Sequence, residues 1–457
     1  MEASTATYLA ESRSRQLAEL IDWLRIPSIS TLPEHAADVH RAAVWLTQAL
    51  QRAGLEHVEL IETDLHPLVY ADWLHAGPSA PTLLIYGHFD VQPADPLDEW
   101  HARPFEPTLR GDDLVARGAS DDKGQTLVLI KAIEALLQTV GRLPVNVKFI
   151  AEGEEESDGE SIARYVATHT AKLAADAVLI SDSHMLSPSQ PTLLYGLRGM
   201  WGCEITVRGA AHDLHSGTFG GVIHNANQAL AELLAALHDS TGRVTVPGFY
   251  DAVRKLTDTE RTLLAAVPHG EREILDESGA PAIWGEAEFT VVERTGARPT
   301  LEINGMWGGF TGTGFKTVIP SEARAKVSCR LVPDQDPEAI GAAIERYLYQ
   351  LAPPTVQVSV QKSFGAPAFI APLDAPAVHA AVRACRRVYN VDPVFMREGG
   401  SIPVVNLFQQ TLGATIVLMG LGLPNDNMHA PDEKFHLPNF YRGIELVIAF
   451  LEELAQP

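Results

Sequence analysis

The chain has 457 residues, of which 46% are hydrophobic and 20% are charged, and its formal net charge is −23 because 58 acidic residues outnumber 35 Lys and Arg residues. A surface this acidic repels phosphate backbones and anionic lipid headgroups, which argues against nucleic acid and membrane partners. Domains usually span ~100–200 residues, so two or three folding units are expected.

The first part of the chain alternates helical patterns with short apolar runs. Helical periodicity predicts helices near 17–24, over 36–53 and over 123–139. Apolar runs that stop abruptly at polar residues lie at 82–86, 145–151, 176–181 and 414–420. Strands that alternate with helices predict an α/β fold class, with a mixed, largely parallel sheet flanked by helices.

The middle of the chain has a different pattern. Alternating apolar and polar residues predict strands at 201–209, 322–333 and 355–363, and amphipathic patterns predict helices at 224–239 and 336–352. Two strand–helix units of antiparallel character indicate a small α+β domain inserted into the first one. We therefore expect a first domain formed by residues 1–197 and 367–457, interrupted by an inserted domain at 198–366.

Cysteine usage and the N-terminal sequence bear on the cellular compartment. The three cysteines, Cys203, Cys329 and Cys385, are widely spaced and include no CxxC pair, so no disulfide framework is expected. The N-terminal residues lack the basic start and apolar core of a signal peptide. No run of ~18 apolar residues occurs that would span a membrane. These features predict a cytoplasmic protein.

Histidines and carboxylates follow the ends of the predicted strands. They are His88, the acidic group at 154–156, Asp182 and His429, while Asp121 precedes a predicted helix. The carboxyl ends of parallel strands line the crevice where ligands bind in open α/β sheets. Imidazole and carboxylate groups converging there suit a pair of zinc or manganese ions. Taken singly, a histidine at a strand end is more often structural, an acidic run is more often a solvated loop, and acidic residues before a helix can be an N-cap.

Eight motifs in order resemble one family, and the resemblance covers nearly the whole chain. The family is that of co-catalytic zinc dipeptidases and carnosinases, which are allied to aminoacylases and desuccinylases. The motifs are YGHFDVQP (86–93), ARGASDDKG (116–124), AEGEEES (151–157), ISDS (180–183), HDLHSGTFGG (212–221), KTVIP (316–320), CRLVP (329–333) and REGGSIP (397–403).

The resemblance implies two divalent metal ions per chain, with zinc expected first and manganese or cobalt as alternatives. His88 and Asp182 would hold one ion, Glu156 and His429 the other, and Asp121 would bridge them. Asp90 would accept a hydrogen bond from the second ring nitrogen of His88, as carboxylates behind metal ligands commonly do.

The glutamate run presents a choice of register, because Glu154, Glu155 and Glu156 are consecutive and the family motif requires only two of them. The family pattern ends in Glu-Glu-Ser, and here Ser157 follows Glu156. This register makes Glu155 the general base and Glu156 a metal ligand. Glu154 then stands where the family often has an apolar residue.

The resemblance also assigns residues to substrate recognition. His215, in the inserted domain, would stabilise the oxyanion in a neighbouring subunit's site, so that domain would serve as lid and dimerisation domain. Arg330 would pair with the substrate's free carboxylate. Ser401 would donate hydrogen bonds to the substrate and Glu398 would meet its amino group.

The expected function is therefore hydrolysis of short peptides, chiefly dipeptides with free termini, by a water that two metal ions activate. The expected enzyme is a homodimer. An N-acyl-amino-acid deacylase or desuccinylase on the same scaffold is the alternative within enzymes. A catalytically silent metal-binding or scaffold protein is the alternative from another class, and it would predict a missing base or ligand.

Overall fold

The computed structural model describes residues 2–157, 159–400 and 402–456. Its helices are α1 (Ala3–Leu24), α2 (Ala36–Ala53), α3 (Lys123–Thr139), α4 (Glu160–Thr168), α5 (Thr170–Leu173), α6 (Ser216–Phe219), α7 (Ala226–Ala235), α8 (Asp258–Ala265), α9 (Glu271–Ser278), α10 (Val291–Ala297), α11 (Pro337–Leu351), α12 (Pro376–Tyr389), α13 (Pro403–Leu412) and α14 (Leu437–Leu454). Short 3₁₀ helices cover Pro33–His35 and Leu97–Glu99. None of the helices in these ranges combines the length and apolar character that crossing a bilayer requires.

The strands are β1 (Glu56–Ile61), β2 (Leu68–Trp73), β3 (Thr82–His88), β4 (Thr108–Arg110), β5 (Asp113–Val115), β6 (Asn146–Glu152), β7 (Ala177–Ile180), β8 (Thr192–Leu197), β9 (Gly199–Arg208), β10 (Leu214–His215), β11 (Thr300–Gly308), β12 (Val318–Ile319), β13 (Glu322–Leu331), β14 (Gln357–Ala366), β15 (Phe369–Ile370), β16 (Val394–Glu398), β17 (Thr415–Leu418) and β18 (Lys434–His436).

The chain divides into two compact units. Unit 1 comprises Met1–Tyr195, Ala371–Phe395 and Pro403–Pro457, and unit 2 comprises Gly196–Ile370 and Met396–Ile402. The chain passes from unit 1 to unit 2 within β8 and returns twice.

Unit 1 contains a mixed sheet whose parallel part lies at its centre. The strand order is β1-β2-β6-β3-β7-β17-β8. The pairs β6–β3, β3–β7 and β7–β17 are parallel, whereas β1–β2, β2–β6 and β17–β8 are antiparallel. The central strands are buried along nearly their whole length, which explains why they read as continuous apolar runs rather than alternating ones. The predicted α/β class with a mixed sheet is confirmed.

Helix α3 lies against the carboxyl end of β3, and a glycine makes this approach possible. A Cβ atom on Gly87 would come within 2.0 Å of Thr126 Oγ1 and 3.2 Å of Asp122 Oδ2. The backbone N–H of His88 donates to Asp122 Oδ2 at 3.2 Å, and the Thr126 hydroxyl donates to the same oxygen at 2.7 Å. The end of β3 and the start of α3 are therefore joined directly.

Unit 2 contains an antiparallel four-stranded sheet in the order β11-β13-β9-β14. Its core face is apolar and includes Ile205, Val207 and Val327, packed with Leu230 of α7 and Ile344 of α11. The predicted strands and helices of the middle region correspond to β9, β13, β14, α7 and α11. Strand β11 was not predicted, because its polar–apolar alternation extends only over 300–304 before Gly305 interrupts it.

Candidate metal centre

Asp121 lies between two histidines from distant parts of unit 1. Its Oδ1 is 3.0 Å from Nε2 of His88, and its Oδ2 is 2.8 Å from Nε2 of His429. His88 ends β3, Asp121 lies in the loop before α3, and His429 lies in the loop between β17 and β18. One carboxylate is thus shared between two imidazoles.

Two further carboxylates complete two groups around Asp121. In the first group, Asp182 Oδ2 lies 3.9 Å from His88 Nε2. In the second, Glu156 Oε1 lies 3.2 Å from His429 Nε2. Within each group, the potential ligand atoms all lie within 4.8 Å of one another, and Asp121 belongs to both.

The chemistry of these donors fits a pair of divalent ions. Each group offers one imidazole nitrogen and two carboxylate oxygens, which are suitable ligands for zinc, manganese and similar ions. Nε2 of His88 is buried and makes no hydrogen bond to any of the described residues, although Asp121 Oδ1 is only 3.0 Å away. Once deprotonated, a nitrogen without a protein hydrogen-bond partner is able to coordinate a cation. His88, Asp121, Asp182, Glu156 and His429 are therefore the residues able to hold two ions.

Without a cation, the site retains protons. Burial raises the pKa of Asp182 well above its ordinary value. Burial alone would lower the pKa of His88, but the nearby carboxylates of Asp121 and Asp90 raise it well above its ordinary value. Hydrogen bonds to Asp121 and Glu156 raise the pKa of His429 to about 10. Burial would raise the pKa of Asp121, yet the neighbouring imidazoles of His429 and His88 lower it below its usual range.

The three consecutive glutamates have different environments. The carboxylate of Glu154 is fully buried and accepts hydrogen bonds from the backbone N–H of His66 at 2.8 Å, the backbone N–H of Ser161 at 3.1 Å and the hydroxyl of Ser161 at 2.5 Å. Glu154 therefore fixes the loop before α4 and is committed to structure. The carboxylate of Glu156 lies with His429 and also accepts a hydrogen bond from the Gln92 amide at 2.8 Å.

Glu155 differs from both of its neighbours. No hydrogen bond to its carboxylate occurs among residues 2–157, 159–400 and 402–456. Burial raises its pKa to about 8, and the nearby negative charges of Glu156, Asp121 and Asp90 add to the effect. Glu155 is thus a carboxyl group next to the two metal-ligand groups with a high affinity for a proton.

Asp90 connects the glutamate run to His88. Its carboxylate accepts hydrogen bonds from the Ser30 hydroxyl at 2.7 Å and from the backbone N–H groups of Glu156 at 3.0 Å and Glu155 at 3.3 Å. Nδ1 of His88 is hydrogen-bonded to the backbone oxygen of Asp90 at 3.2 Å and lies 3.4 Å from its carboxylate. The expected hydrogen bond to His88 thus involves the main chain of Asp90, and the carboxylate orients the glutamates.

A profile of peptidase family M20/M25/M40 matches residues 84–453. The chain belongs to this family. The Cys-Gly metallodipeptidase dug1 of Schizosaccharomyces pombe is 34% identical over 409 residues, which cover 88% of this chain and 86% of the relative. The crystal structure of human carnosine dipeptidase 1 matches with a TM-score of 0.83 and 32% identity over 99% of this chain and 98% of that one. The crystal structure of the M20 family metallo-carboxypeptidase Sso-CP2 from Sulfolobus solfataricus matches with a TM-score of 0.84 and 32% identity. The match covers 96% of this chain and 99% of that one.

These similarities confirm the predicted family and metallopeptidase class. The remaining predicted residues of this M20/M25/M40 peptidase belong to unit 2. His215 is exposed in unit 2, where its Nδ1 accepts a hydrogen bond from the backbone N–H of Gly217 at 3.0 Å. Arg330 is half-buried in β13, and the backbone oxygen of Glu398 accepts from the N–H of Arg198 at 3.1 Å. Ser401 lies outside the described residues, and the roles of all four remain predictions.

Sequence reasoning missed several residues that support the metal centre of this peptidase. Ser30 and Gln92 hold Asp90 and Glu156, respectively, and Glu433 contacts the loop that carries Asp121. Gln92 lies inside the motif YGHFDVQP and Glu433 lies four residues after the predicted ligand His429, so their positions were available from the sequence. Ser30 is 60 residues from Asp90 and had no such signal.

Metal binding to this centre should release protons, and the affinity should therefore depend on pH. A pKa of about 10 keeps His429 protonated at neutral pH, so an ion that binds it must displace that proton. We expect the apparent zinc affinity to fall as the pH decreases, by about tenfold per pH unit for each proton released. Calorimetry in buffers with different ionisation enthalpies measures this release. His429→Ala should release fewer protons, and an affinity that does not change between about pH 6 and 8 would contradict the ligand assignment.

Proposed function

We propose that this chain is a metal-dependent dipeptidase that acts on dipeptides with free termini. The observation that carries the proposal is the position of Asp121 between His88 and His429, at 3.0 and 2.8 Å, with Asp182 and Glu156 beside them. His88 and Asp182 would hold one divalent ion, Glu156 and His429 the other, and Asp121 both. Zinc is the first candidate, with manganese or cobalt as alternatives.

A pair of bound divalent ions supplies Lewis acidity toward the scissile carbonyl and lowers the pKa of water to near neutrality. Glu155 then acts as the general base: it accepts a proton from the attacking water and delivers it to the leaving amine. Its raised pKa of about 8 in the ion-free site reflects burial and neighbouring carboxylates, and cations beside it would lower that value. Asp90 holds the backbone of Glu155 and so directs the base.

The substrate assignment rests on relatives rather than on a pocket. The names of the fission yeast and human relatives describe dipeptidases, and each relative is matched along most of its length. The similarity to a metallo-carboxypeptidase is equally extensive and supports a second candidate, removal of C-terminal residues from longer peptides. Arg330 would pair with the substrate's free carboxylate in both reactions. Glu398 is the candidate for the amino group, which a dipeptidase must recognise and a carboxypeptidase need not.

The cellular setting and assembly belong to the same proposal. Cys203, Cys329 and Cys385 are free and buried, as suits a reducing compartment, and we place the enzyme in the cytoplasm. We also propose a homodimer in which His215 of one subunit stabilises the oxyanion in the site of the other.

Hydrolysis rates of different substrate classes, measured with and without metal, should distinguish the candidate activities. We expect hydrolysis of free dipeptides such as Ala-Ala, weak hydrolysis of longer peptides, and none of N-acetyl amino acids. Dialysis against a chelator should abolish the activity, and zinc, manganese or cobalt should restore it. Release of C-terminal residues from N-blocked peptides, with a kcat/KM comparable to that for free dipeptides, would favour the carboxypeptidase. Hydrolysis of N-acetyl or N-succinyl amino acids would favour a deacylase. Full activity in metal-free protein would refute the two-ion mechanism.

The three consecutive glutamates provide a matched set of variants. Glu155→Gln should keep two ions per chain and lower kcat by about two to four orders of magnitude, because only proton transfer is lost. Glu156→Gln should lower metal content. Glu154→Gln is the control: it should keep metal content and kcat while lowering stability by about 1–3 kcal/mol through weakened buried hydrogen bonds. Metal analysis, steady-state kinetics and urea unfolding measure these effects. Metal loss in Glu155→Gln with full occupancy in Glu156→Gln would show that the register is shifted by one.

Subunit mixing tests the shared role of His215. His215→Ala and Glu155→Gln homodimers should both be nearly inactive. A heterodimer of the two chains contains one site with both defects and one with neither, because a twofold interface exchanges residues reciprocally. An equimolar mixture after full exchange should recover about a quarter of wild-type activity. If the mixture stays inactive although mass spectrometry shows heterodimers, His215 does not act across subunits.

A further inference from the structure

The carboxylate of Glu433 has an unusual set of hydrogen-bond partners. Glu433 lies in the loop between His429 and β18, and it is fully buried. Its Oε2 accepts from the Arg117 guanidinium at 2.8 Å and from the backbone N–H of Gly118 at 2.9 Å. Its Oε1 accepts from the backbone N–H groups of Ser120 at 3.0 Å and Asp121 at 3.1 Å. One side chain thus holds four donors from the loop that ends at the proposed bridging ligand.

Other contacts join the same two loops. The backbone N–H of Ala116 donates to the backbone oxygen of Glu433 at 2.9 Å. The Ser120 hydroxyl donates to Asp426 Oδ2 at 3.1 Å, and that oxygen also accepts from the N–H of Leu423 at 2.7 Å. The loop that carries His429 and the loop that carries Asp121 are therefore connected at several points. Glu433 provides the largest number of these connections.

The location of these bonds determines what Glu433 fixes. Its Oε1 holds the main chain of Asp121, and the side chain of Asp121 faces His429, which precedes Glu433 by four residues. The Glu433 carboxylate therefore ties the main chain of Asp121 to the loop that carries His429. The ion pair with Arg117 offsets the cost of burying the negative charge, and neither residue has a ligand atom in the two metal-ligand groups.

We propose that Glu433 is a positioning residue for the metal centre: it presets Asp121 relative to His429 before any ion binds. The inference rests on the proposed two-ion function. Groups that orient metal ligands commonly change metal affinity by about 10–100-fold when they are replaced. Glu433 differs from such groups because it acts on the backbone of a ligand, through a row of N–H donors, rather than on the ligating side chain.

The test compares Glu433→Gln with a matched control in the same unit. A glutamine retains one acceptor oxygen and turns its NH₂ group toward two donors, so half of the contacts become repulsive. Glu134→Gln is the control, because Glu134 is also buried and paired, with Arg15 Nη2 at 2.5 Å and Lys131 Nζ at 2.5 Å, but contacts no residue of the metal centre. Each variant is titrated with zinc in competition with a chromophoric chelator, and its unfolding is measured in urea without metal.

We expect Glu433→Gln to bind zinc about 10–100-fold more weakly than wild type, and Glu134→Gln to bind it with wild-type affinity although its stability is lower. If Glu433→Gln does not accumulate as folded protein, Glu433→Asp replaces it, because the charge is kept and the carboxylate is withdrawn by one methylene. Wild-type zinc affinity in a folded Glu433 variant would overturn the inference. If the wild-type chain binds none of zinc, manganese and cobalt, the proposed function is refuted instead.

Discussion

The structure of the metal centre depends on a single shared carboxylate. Asp121 presents one oxygen to His88, at the end of β3, and the other to His429, which lies 341 positions further along the chain in the loop before β18. With Asp182 and Glu156 alongside, three carboxylates are gathered around two imidazoles in a largely buried volume. Such a concentration of negative charge is unfavourable unless protons or cations neutralise it. The ion-free site retains protons for this reason, and two divalent ions would replace them.

The same strands and helix that form the core of unit 1 also hold the Asp121 carboxylate in place. Strands β3, β6 and β7 are parallel, so their carboxyl ends bring His88, the glutamate run and Asp182 to one edge. Gly87 permits the close approach of α3, whose first residues follow Asp121 and Asp122 directly. The packing of an apolar helix on an apolar strand therefore determines the separation of two potential ligands. The positions of His88 and Asp121 in the site are therefore fixed by the packing of α3 against β3 in the core.

The sequence predicted the elements that follow simple periodicity and missed those that depend on distant partners. The buried parallel strands were visible as apolar runs that end at polar residues, and this pattern also located His88, Asp182 and His429. Strand β11 escaped prediction because its alternation is short and is interrupted by Gly305. The role of Glu154 could not be predicted, since its partners include the N–H of His66, 88 residues away. The hydrogen bond expected between His88 and the carboxylate of Asp90 is made by the main-chain oxygen, a distinction that a motif cannot express.

The acidic run illustrates how one stretch of like charge separates into different functions once it is folded. Glu152 accepts a hydrogen bond from the Tyr86 hydroxyl at 2.7 Å. Glu154 accepts one from the backbone N–H of Ser161, and Oε1 of Glu156 lies 3.2 Å from Nε2 of His429. Each of these carboxylates is committed to a specific partner. Glu155 has no such partner among the described residues, yet Asp90 fixes its main chain and its pKa is raised to about 8. A base that transfers protons must be positioned by its backbone while its carboxylate remains available. In this run, Glu155 is the glutamate that meets both conditions, and this supports its proposed catalytic role independently of the motif register.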